Sequence, residues 1–267
     1  MIVDYHMHLR DPDGQIDFGV EAVERFVERA SERGVDEIGF TEHVYYFVQT
    51  RDFWRIPYQT ERCSLDLDVY TEAVSEAKRQ GLPVKLGLEV DWAGERADEL
   101  AALLAGYPFD YLLCSVHWLA GGFGIDGAVG GGAWEQWPEE EVWSRYVAEL
   151  STAAASGNFD VLSHPDLAKI HGVRGSDDRY EELAAAVDAA GVALEISTAG
   201  LRKPVAEIYP DPRLLRLSTA PITLASDAHE PRRVGEDFER AIELARAHGR
   251  DTVSVFEARA RRQEPLG

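Results

Sequence analysis

One pattern recurs along the chain: an amphipathic stretch with helical spacing, a glycine, a short apolar run, and polar residues at the end of that run. Val20, Val23, Phe26, Val27 and Ala30 fall on one helical face, and Gly34 follows as a stop. The run EIGFTEH comes next and ends in Glu42 and His43. A second helical stretch starts near Leu67 and stops at Gly81, after which PVKLGLEVDW ends in Glu89 and Asp91. YLLCSVHW ends in Ser115 and His117, and DVLSHPD in His164 and Asp166. An Ala-rich helix over 180–190, closed by Gly191, leads into VALEISTAG with Glu195 and Ser197. ITLASDAHE ends in Asp227 and His229, and a last helix on Val234, Phe238, Ala241, Ile242 and Ala245 stops at Gly249.

With the opening strand this makes about seven β-then-α units, which predicts a parallel sheet. Near-continuous apolar strands mean that both sheet faces are covered. A doubly wound open sheet gathers its reactive groups at one switch point, whereas a closed barrel displays them at every strand end on one rim. Here every strand end is polar. The expectation is an α/β fold, a distorted seven-stranded TIM-like barrel with its site on the carboxyl rim of the strands. Two segments interrupt the cycle: the aromatic and basic stretch 44–66, and the Gly-rich stretch 119–137. Long loops on a catalytic rim commonly serve as lids or substrate walls. No internal repeat, linker or low-complexity tail is visible, so residues 1–267 are read as a single domain.

Composition narrows the partners. The 267 residues carry 27 Lys+Arg against 48 Asp+Glu, a formal charge of −21. So acidic a surface repels phosphate backbones, and no basic patch suggests nucleic-acid binding. A phosphorylated substrate would need bound cations or a few placed basic residues to reverse the local field. Cys63 and Cys114 make no disulfide framework and are read as reduced thiols. No charged-then-apolar leader opens the chain and no run is long enough to span a bilayer. The expectation is a cytoplasmic protein without a membrane partner; its oligomeric state is not legible.

The chemistry begins at VDYHMHLRDPDG, residues 3–14. On a strand, residues i and i+2 face the same side, so His6 and His8 can turn both imidazoles to one ion. Six of the eight histidines, His6, His8, His43, His117, His164 and His229, lie at or just past strand ends. Joined by Glu89 and Asp227, they offer the nitrogen and oxygen donors that suit zinc, manganese or iron. Eight ligands are too many for one ion. A carboxylate can bridge two cations, and two or three divalent ions a few ångströms apart form the clamp used in phosphate ester hydrolysis.

In this order, DYHMH, TEH, GLEVDW, CSVHWL, LSHPDL and SDAHEP resemble the motifs of the PHP superfamily (polymerase and histidinol phosphatase). EISTAGLRKPVAEIYP and SVHWLAGGFGID resemble its histidinol-phosphate phosphatase branch. The resemblance covers Val3 to about Gly249 and implies a barrel with a two- or three-metal rim site. It also implies hydrolysis of L-histidinol phosphate to L-histidinol and phosphate, a late step in histidine biosynthesis. By resemblance, His6, His8, Glu89 and Asp227 hold the first ion. Glu89 bridges to the second, which His117 and His164 complete. A third would use His43 and His229 with a further family histidine whose position is Gly14 here. Asp13, one residue earlier, is the expected replacement, although Asp-Pro-Asp-Gly is also a strong turn sequence on its own.

The implied mechanism is in-line attack on phosphorus by a hydroxide held between two cations, with Glu89, Asp227 and His229 as catalytic candidates. Arg202, Lys169, His171 and Lys203 follow strand ends closely and are candidates to bind the phosphate. Asp91 and Glu42 adjoin ligands and are read as acceptors that orient imidazoles. Other readings stay open here: a phosphoesterase for nucleotides or another small phosphomonoester, a metal-dependent amidohydrolase, and a non-catalytic module of the kind attached to polymerases. The amidohydrolases usually bridge their metals through a modified lysine where Glu89 stands. The non-catalytic module fits poorly with so full a ligand set.

Overall fold

A computed structural model describes residues 1–11, 13–127 and 132–267. Its strands are β1 (Val3–Asp4), β2 (Glu37–Phe40), β3 (Val84–Asp91), β4 (Tyr111–Ser115), β5 (Trp118–Leu119), β6 (Phe123–Gly124), β7 (Val161–Leu162), β8 (Ala193–Ser197), β9 (Ile222–Ala225), β10 (Thr252–Glu257) and β11 (Ala260–Pro265). Seven of them form one sheet in the order β1-β2-β3-β4-β7-β8-β9. Each neighbouring pair in that sheet is parallel. The two ends of the sheet meet: Tyr5 donates its N–H to Leu224 O at 3.0 Å and His8 to Ala228 O at 2.8 Å. Met7 and Ala228 form a parallel bridge between them. The sheet is therefore a barrel, and the expected fold class holds.

Helices fill the returns as the apolar spacing requires. Val20–Glu32 buries Ala22, Val23, Phe26 and Ala30, and Leu67–Arg79 buries Tyr70, Val74 and Ala77. Asp177–Ala190 ends at Gly191, whose φ of 67° closes the helix in the left-handed region that an L-residue resists. The last rim helix is shorter than its apolar spacing implied, running from Phe238 to Ala247. Val234 stays outside it because the next residue, Gly235, gives its N–H to the Asp4 carboxylate at 2.9 Å. Among the described residues no helix is long and apolar enough to cross a membrane.

The lower end of the barrel is plugged. Tyr5, Tyr111 and Phe256 stack in its interior, with Tyr5 and Tyr111 ring centroids 5.0 Å apart and Tyr111 and Phe256 centroids 5.5 Å apart. A Cβ at Gly39 would sit 2.0 Å from the Tyr111 hydroxyl and one at Gly87 2.6 Å from its ring, so both strands must carry glycine there. The β10–β11 hairpin supplies Phe256 and pairs Glu257 with Lys85. This hairpin and the helix Glu139–Ala155 lie outside the sequence reading. The plug leaves the opposite rim as the open end. There the stretch 44–66 folds into two 3₁₀ turns and the helix Pro57–Arg62. The other rim segment forms the β5–β6 hairpin and the short helix Ala133–Gln136, with residues 128–131 of that stretch outside the described residues.

Candidate metal centre

His6 and His8 lie just past β1 and are wholly buried. Period-two geometry turns both rings inward, with centroids 5.3 Å apart. Glu89, on β3, is 1% exposed and stands at the middle of the cluster. Its Oε1 lies 3.5 Å from His6 Nε2, 3.5 Å from His117 Nε2 and 3.2 Å from His164 Nε2. Its Oε2 lies 2.6 Å from His43 Nδ1 and 3.7 Å from His8 Nε2. Asp227, past the end of β9, brings Oδ1 to 3.4 Å from His8 Nε2, 3.7 Å from His6 Nε2 and 3.6 Å from His229 Nδ1. Two of these residues carry backbone strain: His164 has φ 26° and Asp227 φ 51°. Left-handed non-glycine residues cost on the order of 1–3 kcal/mol each and cluster at functional sites.

The outward-facing nitrogens of His6 and His117 are held by carboxylates. Glu195 Oε2 takes His6 Nδ1 at 2.8 Å, and Asp91 Oδ1 takes His117 Nδ1 at 2.7 Å. Glu42 lies 3.6 Å from His8 Nδ1, and the buried Arg10 donates to its other oxygen at 2.6 Å. Such contacts fix a ring's tautomer and direction. Asp91 thus takes the orienting place expected of it, whereas Glu42 stands near His8 without a hydrogen bond to it. Glu195 also accepts the His164 N–H at 3.1 Å, and Ser115 Oγ donates to Glu89 Oε1 at 2.6 Å. Neither role was visible in the sequence. The available signal was a carboxylate inside an apolar strand, which requires a partner.

The field of the cluster favours cations. Burial opposes charge on the His6 ring, but Glu195, Glu89 and Asp227 outweigh it and hold His6 well above the ordinary imidazole value. His117 is pushed up to about 9, burial being outweighed by Asp91 and Glu89. Burial likewise opposes ionisation of Glu89, yet His43, His6 and His117 keep it well below the usual carboxylate range. His43 and His229 move the other way. Burial and the neighbouring His8 charge push both down, His229 to about 3, so their lone pairs stay free.

Several of these atoms are buried without a hydrogen-bond partner among the described residues: His6 Nε2, both nitrogens of His8, His43 Nδ1 and Glu89 Oε2. His43 Nδ1 and Glu89 Oε2 face each other at 2.6 Å without hydrogen-bond geometry. Unpaired buried acceptors cost on the order of 1–3 kcal/mol each, and a divalent ion satisfies several at once. Within 4.8 Å the donor atoms group as His6, His8 and Asp227; His6, Glu89 and His164; His8, His43 and His229; and His43, Asp91 and His117. This donor set fits zinc, manganese or iron.

The remaining sequence candidates fall elsewhere. Asp13 is exposed and belongs to none of these groups. Asp11 Oδ1 accepts the N–H of Asp13 at 2.9 Å and of Gln15 at 2.8 Å, the hydrogen bonds of a turn; Pro12 lies outside the described residues. Lys169 is wholly buried, with Nζ 3.1 Å from Asp166 Oδ2 and donating to Ile208 O at 2.8 Å. His171 is exposed and its Nε2 contacts Asp126 O at 2.9 Å. Lys203 is exposed. Arg202 stays beside the cluster: one nitrogen donates to Ser226 O, immediately before Asp227, while Nη1 is buried without a hydrogen-bond partner, 3.3 Å from Glu236. Asp4 grips the same Ser226 from the other side, through its N–H at 2.8 Å and its hydroxyl at 2.6 Å.

A family model described as "PHP domain" matches residues 4–199. A curated protein of Deinococcus radiodurans named "Probable histidinol-phosphatase" is 33% identical over 247 residues, covering 90% of this chain and 91% of that one. The histidinol-phosphatase of Lactococcus lactis subsp. lactis is 24% identical over 270 residues, covering 95% and 94%. A crystal structure of histidinol phosphate phosphatase from Lactococcus lactis, complexed with zinc, L-histidinol and phosphate, superposes with a TM-score of 0.77 at 23% identity and covers 98% of each chain.

Proposed function

Since this chain belongs to the PHP domain family, we infer that it is a metal-dependent phosphomonoesterase that hydrolyses L-histidinol phosphate to L-histidinol and phosphate, a step of histidine biosynthesis. One observation carries the chemistry: a single buried carboxylate, Glu89, within 3.7 Å of five imidazoles. So many donors around one acid serve two or three divalent ions better than any purely structural role. The 33% identity to the Deinococcus radiodurans protein, over nine-tenths of both chains, supports the substrate.

His6, His8, Glu89 and Asp227 would hold one ion, and Glu89, His117 and His164 a second. His43 and His229, joined by His8, form the donor group for a third. Bound ions would supply the Lewis acidity that lowers the pKa of water and neutralises a phosphoryl group. The chain's own part is to aim and to charge-balance. Glu195 and Asp91 fix the His6 and His117 rings, and Ser115 holds the Glu89 carboxylate so that its charge stays centred. Asp227 and His229 stand at the more exposed side of the cluster, 15% and 48% exposed, where a substrate can arrive. Arg202 is proposed to meet the phosphate: its anchor on Ser226 O holds it beside the cluster, and Nη1 would turn from Glu236, 3.3 Å away, toward a phosphoryl oxygen.

The net charge of −21 supports a small phosphate ester rather than nucleic acid as the partner. Two buried free cysteines support the cytoplasmic reading. The test is phosphate release from L-histidinol phosphate by protein loaded with manganese or zinc. The expected result is turnover that a chelator abolishes and metal restores. Turnover indifferent to the chelator would remove the metal from the chemistry, and no turnover in any metal-loaded form would remove the substrate.

A further inference from the structure

A cavity of about 430 Å³ opens against the metal cluster at His117 and Asp91. Its walls come partly from the two rim segments that interrupt the barrel and partly from the turn after β3 and the helix Glu139–Ala155, and the indoles of Trp92 and Trp118 supply flat apolar surface. Three polar functions face this space without a full set of partners. Asp91 is 2% exposed, and while its Oδ1 holds His117, its Oδ2 is buried without a hydrogen-bond partner among the described residues. Gln59, 3% exposed, makes no side-chain hydrogen bond among the described residues. Glu149 accepts the Trp92 indole N–H through one oxygen at 2.7 Å and has no ion-pair partner among the described residues. Arg55, on the lining, directs its guanidinium to Asp52 O and Trp54 O at 2.8 Å each.

A pocket with aromatic walls, two carboxylates and an unused amide suits a planar ring that carries N–H donors beside an ammonium group. Buried polar groups with no ligand to pair them discriminate strongly for a ligand that does. We propose that this cavity receives the organic end of the substrate, with Asp91 Oδ2 and Glu149 accepting from its cationic nitrogens and the Gln59 amide pairing with a ring nitrogen. The cavity thereby selects phosphate esters of cationic amino alcohols over neutral ones. This rests on the phosphatase reading above.

Glu149→Gln and Gln59→Leu test it, because both residues lie outside the metal donors and Glu149→Gln retains an acceptor for Trp92. Each variant is assayed with L-histidinol phosphate and with 4-nitrophenyl phosphate, and with L-histidinol as an inhibitor of the second reaction. Thermal melts establish that each variant is folded. The expected result is a rise of about tenfold in KM for L-histidinol phosphate and in Ki for L-histidinol, with kcat/KM for 4-nitrophenyl phosphate within about twofold of wild type. Equal losses on both esters, an unchanged Ki in both variants, or no inhibition of wild type by L-histidinol would overturn the proposal. The two readings fail separately. If wild type does not cleave L-histidinol phosphate but L-histidinol inhibits with the expected variant dependence, the cavity stands and the reaction falls. If wild type cleaves it and both variants are indifferent, the reaction stands and the cavity falls.

Discussion

Glu89→Gln is the substitution with the clearest expected outcome. Glutamine keeps the shape and can still accept from Ser115 Oγ, which lies 2.6 Å away. It removes the one negative charge that five imidazoles share, and it places an amide N–H₂ against ring nitrogens that should be lone-pair donors. Removing one partner of a buried charge pair costs about 3–5 kcal/mol. Applied to a cation resting on Glu89, that is a loss of roughly 10²–10⁴ in affinity. The consequence is readable without turnover. At a thousandfold excess of metal over Kd, binding stabilises the native state by about 4 kcal/mol. For a chain of this size that corresponds to a rise in Tm on the order of 10 °C. Calorimetry with and without manganese or zinc should show this rise in wild type and little of it in Glu89→Gln. Metal content after gel filtration should fall in parallel, and phosphate release with it. Two tightly held ions, a wild-type thermal shift and near-normal turnover in the variant would refute the bridging role.

Arg202→Ala should lower kcat/KM by about 2–4 kcal/mol of transition-state stabilisation while metal content is retained, as for a lost charge-stabilising donor; an unchanged kcat/KM assigns the phosphate to another group. Asp13→Ala should leave metal content and activity at wild-type values, because its N–H is held in a turn and its side chain is exposed; loss of one ion together with activity would restore Asp13 as a ligand. Apparent metal affinity should rise with pH between 7 and 9. In the metal-free protein His117 is pushed up to about 9 by Asp91 and Glu89, so a proton that competes with metal leaves as pH rises toward that value. Chelator competition at several pH values checks this, and a flat profile contradicts it.

The barrel and the gathering of most candidate metal donors were legible in the sequence for one reason. In a parallel barrel the strand ends share a rim, so six histidines and two acids at strand ends are brought together by topology alone. What could not be read depended on distance in sequence or on local turns. Glu195 is 189 residues from His6, and nothing local says that their side chains meet. Arg10 sits two residues past His8, but its role depends on Glu42, which is 32 residues from it in the chain. Asp13 looked like a ligand by position, whereas the hydrogen bonds to Asp11 turn the loop outward. Lys169 follows a strand end as a phosphate-binding residue should. It lies instead in a 3₁₀ turn, Leu167–His171, that directs its ammonium inward to Asp166. The C-terminal hairpin closes the lower end of the barrel through Phe256, a long-range packing role that its short alternating pattern does not announce.

The most direct measurement is kcat/KM of the metal-loaded protein for L-histidinol phosphate beside a panel of nucleoside monophosphates under one buffer and one metal. The expected result is a preference of at least about a hundredfold for L-histidinol phosphate, a gap of about 2.7 kcal/mol in transition-state binding. A preference of that size for any nucleotide would contradict the assignment of substrate and leave only a metal-dependent phosphoesterase on this barrel.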